Sequence, residues 1–121
     1  MKFVAISLPA IPASPEERKK LRPIGHRTDK WQQMLDDYGW EAYTFPEHQL
    51  HTEGFEIGFS TALGMHILDK TKRIKVGPIG YVLPTWSPVR LAVETAWLDQ
   101  LSKGRTIVGW LSGNLRYPLV Y

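Results

Sequence analysis

The stretch Ile74–Trp110, IKVGPIGYVLPTWSPVRLAVETAWLDQLSKGRTIVGW, holds one whole unit of a repeating fold. Ile74–Val82 is an apolar, β-branched run interrupted by Gly77 and Pro78, as expected of a strand buried on both faces. A short turn, Leu83 to Trp86, follows. Ser87 is placed to cap a helix and Pro88 to occupy its first position, where the missing N–H costs nothing. The helix carries Leu91, Ala92, Ala96, Leu98 and Leu101, with Arg90/Glu94 and Asp99/Lys103 as i,i+4 ion pairs on its exposed turns. Gly104 is expected to end it as a left-handed cap, and Thr106–Trp110 is the next strand. A strand, a helix and a strand joined by short loops call for parallel pairing and a right-handed crossover.

The same unit recurs upstream. Lys2–Leu8 and Glu41–Phe45 read as strands. Thr28–Tyr38 reads as a helix stopped by Gly39, and Ile57–Asp69 as a second, whose end carries Lys70, Lys72 and Arg73 where the helix dipole is negative. The order is β-α-β-α-β-α-β. Strand starts near 2, 41, 74 and 106 are 39, 33 and 32 residues apart, against about 31 for a (β/α)8 barrel of roughly 250 residues. The expected fold is α/β: a partial TIM (β/α)8 barrel of about four parallel strands, as a single domain over residues 1–121 that stops after strand four. Four strands cannot close a barrel, so a truncated gene, a fragment or a chain requiring a partner is expected. A small doubly wound domain would place a glycine-rich phosphate loop after strand one. Residues 8–15 are instead proline-rich and lack glycine.

Composition narrows the class further. Of 121 residues, 43% are hydrophobic and 22% charged, ordinary for a globular domain. No apolar run could span a membrane, and the amino end lacks the long apolar region and small-residue cleavage site of a secretory signal, so a cytoplasmic location is expected. The absence of cysteine removes disulfides and thiolate metal sites. The net charge of +3 is dispersed, with no basic stripe interleaved with aromatics, which argues against nucleic acid as partner.

Parallel barrels carry their chemistry at the carboxyl ends of the strands. Those ends are Pro9–Ala13, the Glu47–Glu53 loop, Pro84–Trp86 and Leu111–Gly113. The second is richest: Glu47, His48, His51 and Glu53 fall within seven residues. A histidine there can move a proton near neutral pH, which makes His48 the candidate catalytic residue, although a merely polar surface loop fits the same spacing. A metal held by His48, His51 and Glu53 is the lesser alternative, with no distant second cluster to complete it, and no metal is expected. His26 and His66 lie outside the strand-end loops and read as structural. Trp86 is the one tryptophan in such a loop. Glycines 77 and 80 inside a strand mark either close approach of a ligand to the backbone or a tight bend.

Together these residues resemble the bacterial luciferase-like flavin-dependent monooxygenases. The strongest stretch is Val82-Leu83-Pro84-Thr85-Trp86-Ser87-Pro88-Val89-Arg90, continuing through Glu94 to Leu98-Asp99-Gln100-Leu101-Ser102-Lys103-Gly104-Arg105. Lys72–Pro78 is similar to the start of the family's third strand, and Glu47-His48 to its glutamate–histidine pair. The resemblance extends from strand one to Gly113. It implies a (β/α)8 fold and reduced FMN as redox partner, with coenzyme F420 as the alternative. It implies oxidoreductase activity on paired donors with incorporation of molecular oxygen, hence a small-molecule substrate and dioxygen as partners. An F420- or flavin-dependent dehydrogenase and a non-catalytic remnant or assembly subunit, in a homo- or hetero-dimer, are the competing implications. By the same resemblance His48 handles protons, Glu47 orients it, and Glu47, Ile79, Gly80 and Ser112 face the cofactor. The Ile79-Gly80 peptide corresponds to a place where the family's backbone is often cis. The chain departs from the pattern at Gln49, where many members have a second histidine, and at Ser112, where an arginine is common. Its first helix is shorter, and the later strands that usually hold the flavin phosphate have no counterpart.

Overall fold

The computed structural model describes residues 1–6, 24–48 and 60–113, with side chains from Asp29 onward in the second segment. The elements are β1 (Val4–Ile6), α1 (Ile24–Asp37), β2 (Ala42–Phe45), α2 (Ser60–Lys70), β3 (Lys75–Pro78), β4 (Tyr81–Val82), a 3-10 turn (Leu83–Thr85), α3 (Pro88–Ser102) and β5 (Trp110–Leu111). β1, β2 and β3 pair in parallel and in sequence order, with Ala5 opposite Tyr43 and Tyr43 opposite Val76. β4 pairs in parallel with β5, placing Tyr81 opposite Trp110 and Val82 opposite Leu111.

Backbone hydrogen bonds join these two groups into one succession. Val76 N–H donates to Arg105 O (2.9 Å), Ile107 N–H to Val76 O (3.2 Å), Gly109 N–H to Pro78 O (2.9 Å) and Tyr81 N–H to Gly109 O (2.8 Å). Residues 105–111 therefore run beside the whole of 75–82, giving four parallel staves in sequence order. This is a partial α/β barrel, as the βα period requires.

Several boundaries differ from the sequence reading: β1 begins at Val4 rather than Lys2, α1 at Ile24 rather than Thr28, and the third and fourth strands are interrupted. The expected single strand Ile74–Val82 is broken at Ile79-Gly80, whose peptide is cis. The expected strand Thr106–Trp110 begins as one bridge, Val76 to Thr106, and becomes regular only at Trp110–Leu111. Backbone proximity explains the glycines. A Cβ on Gly77 would overlap the carbonyl oxygen of Ile107, and one on Gly80 would overlap that of Gly109. Both residues give the neighbouring stave room to approach.

The core lies between the sheet and the helices. Leu35 of α1, Ile67 and Leu68 of α2 and Leu98 of α3 pack on Tyr43, Phe45, Ile74 and Val76. Side chains alternate along a strand, so Tyr43, Phe45 and Val76 mark the outer, helix-side face, and Ala42, Thr44 and Gly77 the inner one.

The end of the sheet where the strands begin is held by two charged clasps. The Asp36 carboxylate, at the end of α1, accepts the backbone N–H groups of Lys72 (2.6 Å), Arg73 (3.0 Å) and Ile74 (2.7 Å). Burial pushes its pKa up, but these bonds and the Arg73 charge outweigh burial and hold it below the ordinary carboxylate value. The Arg105 guanidinium donates to Leu68 O (2.9 Å) and Thr71 Oγ1 (3.2 Å), a cation where the α2 dipole is negative.

At α3 the sequence expectation is adjusted at both ends. Pro88 does open the helix, but the Ser87 side chain makes no cap; its carbonyl accepts Leu91 N–H (2.9 Å). At the other end Lys103 already turns left-handed (φ 59°) ahead of Gly104 (φ 79°). Lys103 thereby leaves the helical register that would pair it with Asp99, whereas Arg90 and Glu94 do meet, at 2.7 Å.

Candidate active site

Parallel pairing brings the strand ends to one rim. Ile79 N–H donates to Phe45 O (2.8 Å), which sets the break in the third stave beside the end of β2. Glu47 Oε2 accepts the Val82 N–H (2.8 Å), tying residues past β2 to β4. The Val82–Leu111 register then places Leu111–Gly113 alongside. A Cβ on Gly113 would lie 2.6 Å from Val82 Cγ1. The Glu47-His48 pair, the Ile79-Gly80 kink and Ser112 thus share one end of the sheet.

They do not share one face. Glu47 is 3% exposed and belongs to the outer side. Besides the Val82 amide, both its oxygens accept the Trp86 indole N–H at 3.0 Å. Trp86 meets Tyr81 edge-on (centroids 5.2 Å apart, 82°), and Tyr81 stacks on Trp110 at 5.9 Å. The Tyr81 hydroxyl lies 2.9 Å from Thr61 Oγ1, which donates to Glu94 Oε2 (3.0 Å). Burial raises the Tyr81 pKa, the Thr61 bond opposes this, and the Glu94 and Glu47 charges add to it. This outer network is a plug between sheet and helices.

His48, the next residue, is half-buried with extended, bridge-type backbone. β2 ends at Phe45; alternation carried past that end, opposite to the outward Glu47, would turn His48 to the inner face. Ile79 joins it there. It is 38% exposed, and a Cβ on Gly109, itself an inner position, would meet Ile79 Cγ2 at 3.2 Å. Because Tyr81 and Trp110 stack on the helix side, Val82 and Leu111 face inward, and Leu111 is exposed. Gly80 is buried between staves. Ser112 is exposed, and by alternation from Leu111 it turns outward.

The inner rim among the described residues is therefore His48, Ile79, Val82, Leu111 and Gly113. Val82 was not among the strand-end positions expected from sequence, and Leu111 was named there only with Ser112 and Gly113; strand parity about Trp110 would have separated Leu111 from Ser112. Gln49, His51, Glu53 and Pro9–Ala13 lie outside the described residues, and among the described ones no cluster of three metal-ligating side chains occurs. His66 Nε2 sits 2.8 Å from Asp29 Oδ1, an α1–α2 contact remote from the rim.

Ile79, Val82 and Leu111 give this rim an apolar surface, the kind a flat ring system packs against. A flavin phosphate finds no counter-charge at the described strand ends, which hold no lysine or arginine; Arg90, in the first turn of α3, is engaged by Glu94.

The family model described as luciferase-like monooxygenase matches residues 1–116. The chain belongs to that family. It is 36% identical over 74 residues to the alkanal monooxygenase beta chain of Photobacterium leiognathi, covering 61% of this chain and 22% of that one. The alpha chain from the same organism is 52% identical over 48 residues, 40% of this chain and 14% of the relative. Among solved structures, the oxygenating constituent of 3,6-diketocamphane monooxygenase from Pseudomonas putida, a type II Baeyer-Villiger monooxygenase in complex with FMN, superposes with a TM-score of 0.78 at 25% identity. It covers 94% of this chain and 30% of its own. The chain thus spans about a fifth of these curated beta-chain relatives.

Two further surfaces occur on this luciferase-like chain. A groove of about 640 Å³ on the helix side is lined by Leu83, Leu91, Ala92, Ala96, Val108 and Trp110, among others. It is separate from the inner rim and lies where a βα repeat seats the helix after a strand. Val89, Val93, Trp97 and Leu101 form an exposed stripe along α3 at four-residue spacing. No helix among the described residues is long and apolar enough to cross a membrane.

Proposed function

We propose that this chain forms the His48-bearing part of a flavin-dependent monooxygenase site that inserts one atom of dioxygen into a carbonyl compound. The observation that carries this reading is the convergence of His48, Ile79, Val82 and Leu111 on the inner rim of a parallel sheet, in a chain of the luciferase-like family. The names of the relatives support the substrate class: one set acts on an alkanal, and the solved neighbour is a Baeyer-Villiger enzyme. The FMN of that neighbour supports FMN over F420. Reduced flavin would supply the electrons that activate dioxygen. Ile79, Val82 and Leu111 would flank its ring and exclude water, and His48 would hold or move a proton at its imidazole. Glu47 fixes the backbone before His48. Ser112, at the rim but turned outward, would bind only a cofactor edge that reaches over the strand ends.

Association with a second chain, in the cytoplasm, completes the reading. The apolar stripe on α3 supports an interface, since a helix apolar on its solvent side needs a cover. That the relatives are alpha and beta chains agrees with this.

The test supplies photoreduced FMN, ¹⁸O₂ and a medium-chain aldehyde or cyclic ketone to the chain, with reduced F420 in parallel. The expected result is labelled oxygen in an acid or ester product with FMN alone. Reoxidation yielding only hydrogen peroxide, or turnover with F420 without oxygen uptake, would overturn it.

A further inference from the structure

We propose that Trp86 is a positioning residue for His48, acting through the Glu47 carboxylate. The inference rests on the rim role given to His48 above. Glu47 and His48 are consecutive just past the end of β2, so the face taken by one constrains the face taken by the other. Among the described residues, Glu47 is held outward by the Val82 amide at 2.8 Å and the Trp86 indole at 3.0 Å, donors from β4 and the loop after it. With Glu47 seated there, His48 is delivered inward.

The indole is itself fixed. The Trp86 backbone N–H donates to Leu83 O (3.1 Å), and its ring rests against Tyr81. Tyr81 is tied through Thr61 to Glu94, and Glu94 is tied to Arg90 (2.7 Å). A continuous line of contacts thus runs from the first turn of α3 to the backbone before His48. Hydrogen bonds from an amide and an indole to a buried carboxylate are charge-assisted, and losing the indole donor weakens the hold on its outward position. Glu47 then gains by turning toward water, which rotates the 47–48 backbone and moves the imidazole.

The experiment needs no cofactor, so its outcome is separate from that of the oxygenation test. Imidazole resonances of the four histidines are recorded for the labelled chain, with His48 assigned from His48→Gln, and carbethoxylation by diethyl pyrocarbonate is timed at each. Trp86→Phe keeps an aromatic ring on Tyr81 and removes the donor. The expected result is a roughly threefold or larger change in the His48 rate, with a shifted His48 resonance, while His66 and the far-ultraviolet spectrum are unchanged. Glu47→Gln presents an amide group to the same two donors and should shift both the Trp86 indole proton and His48, even where Trp86→Phe fails to fold. A His48 resonance and rate equal to wild type in a folded variant that has lost the indole bond would overturn the proposal.

Discussion

Replacing Asp36 by alanine should unfold the chain far more readily than its position outside the rim suggests. Three backbone N–H groups converge on this carboxylate. When it is removed, the donors of Lys72 and Arg73, both exposed residues, regain water and lose about 0.5–1 kcal/mol each. The Ile74 donor belongs to a residue only 1% exposed and is left buried without a partner, costing about 1–3 kcal/mol. The sum is about 3 kcal/mol, a large share of the roughly 5–15 kcal/mol typical of a domain, equivalent to about 12 °C in Tm. The sign with pH follows from the depressed pKa. The Asp36 contribution is complete above its ordinary value of 3.8 and is lost as pH falls through the lower folded value. Urea denaturation followed by circular dichroism should therefore show a constant gap between wild type and Asp36→Ala from pH 7 to about pH 4, narrowing below. Asp37→Ala, one residue on and exposed, is the control. A gap under about 0.5 kcal/mol at pH 7, or one that widens in acid, would refute the clasp.

Other substitutions probe separate parts of the molecule. Gly77→Ala should destabilise by about 3 kcal/mol in denaturant melts, because its methyl would force Ile107 and the fourth stave away; Gly104→Ala, whose Cβ meets nothing, should cost about 1 kcal/mol for its φ alone. Trp97→Glu should abolish self-association in sedimentation while leaving the melting curve within a few degrees, since Trp97 is 63% exposed. His48→Ala should lower oxygenation turnover by about 100-fold or more in the assembled enzyme with the fold intact, and equal turnover would remove His48 from the chemistry.

Much of this was legible in the sequence because burial and periodicity are local signals. The β-branched runs and their spacing of about 32 residues give four parallel staves, and Pro88 gives the start of α3. What was not legible depended on distant backbone. Gly77 and Gly80 could be read as ligand-facing until the carbonyls of Ile107 and Gly109 were seen to occupy the space. Nothing local announces that Trp86, 39 residues away, donates to the Glu47 carboxylate. Strand parity, which is set only once the register with Val82 is known, turns Leu111 inward and Ser112 outward. The left-handed turn at Lys103, one residue before the glycine chosen for it, reflects two successive positive φ values that no propensity separates.

The most direct measurement is a titration of the isotope-labelled chain with FMN, oxidised and reduced, followed by amide chemical shifts. A flavin mouth formed by the gathered strand ends predicts saturable changes confined to residues 47–48, 79–83 and 111–113. Shifts centred instead on Asp36, Arg73 and Lys103 at the other end of the sheet, or no response at millimolar flavin, would contradict it.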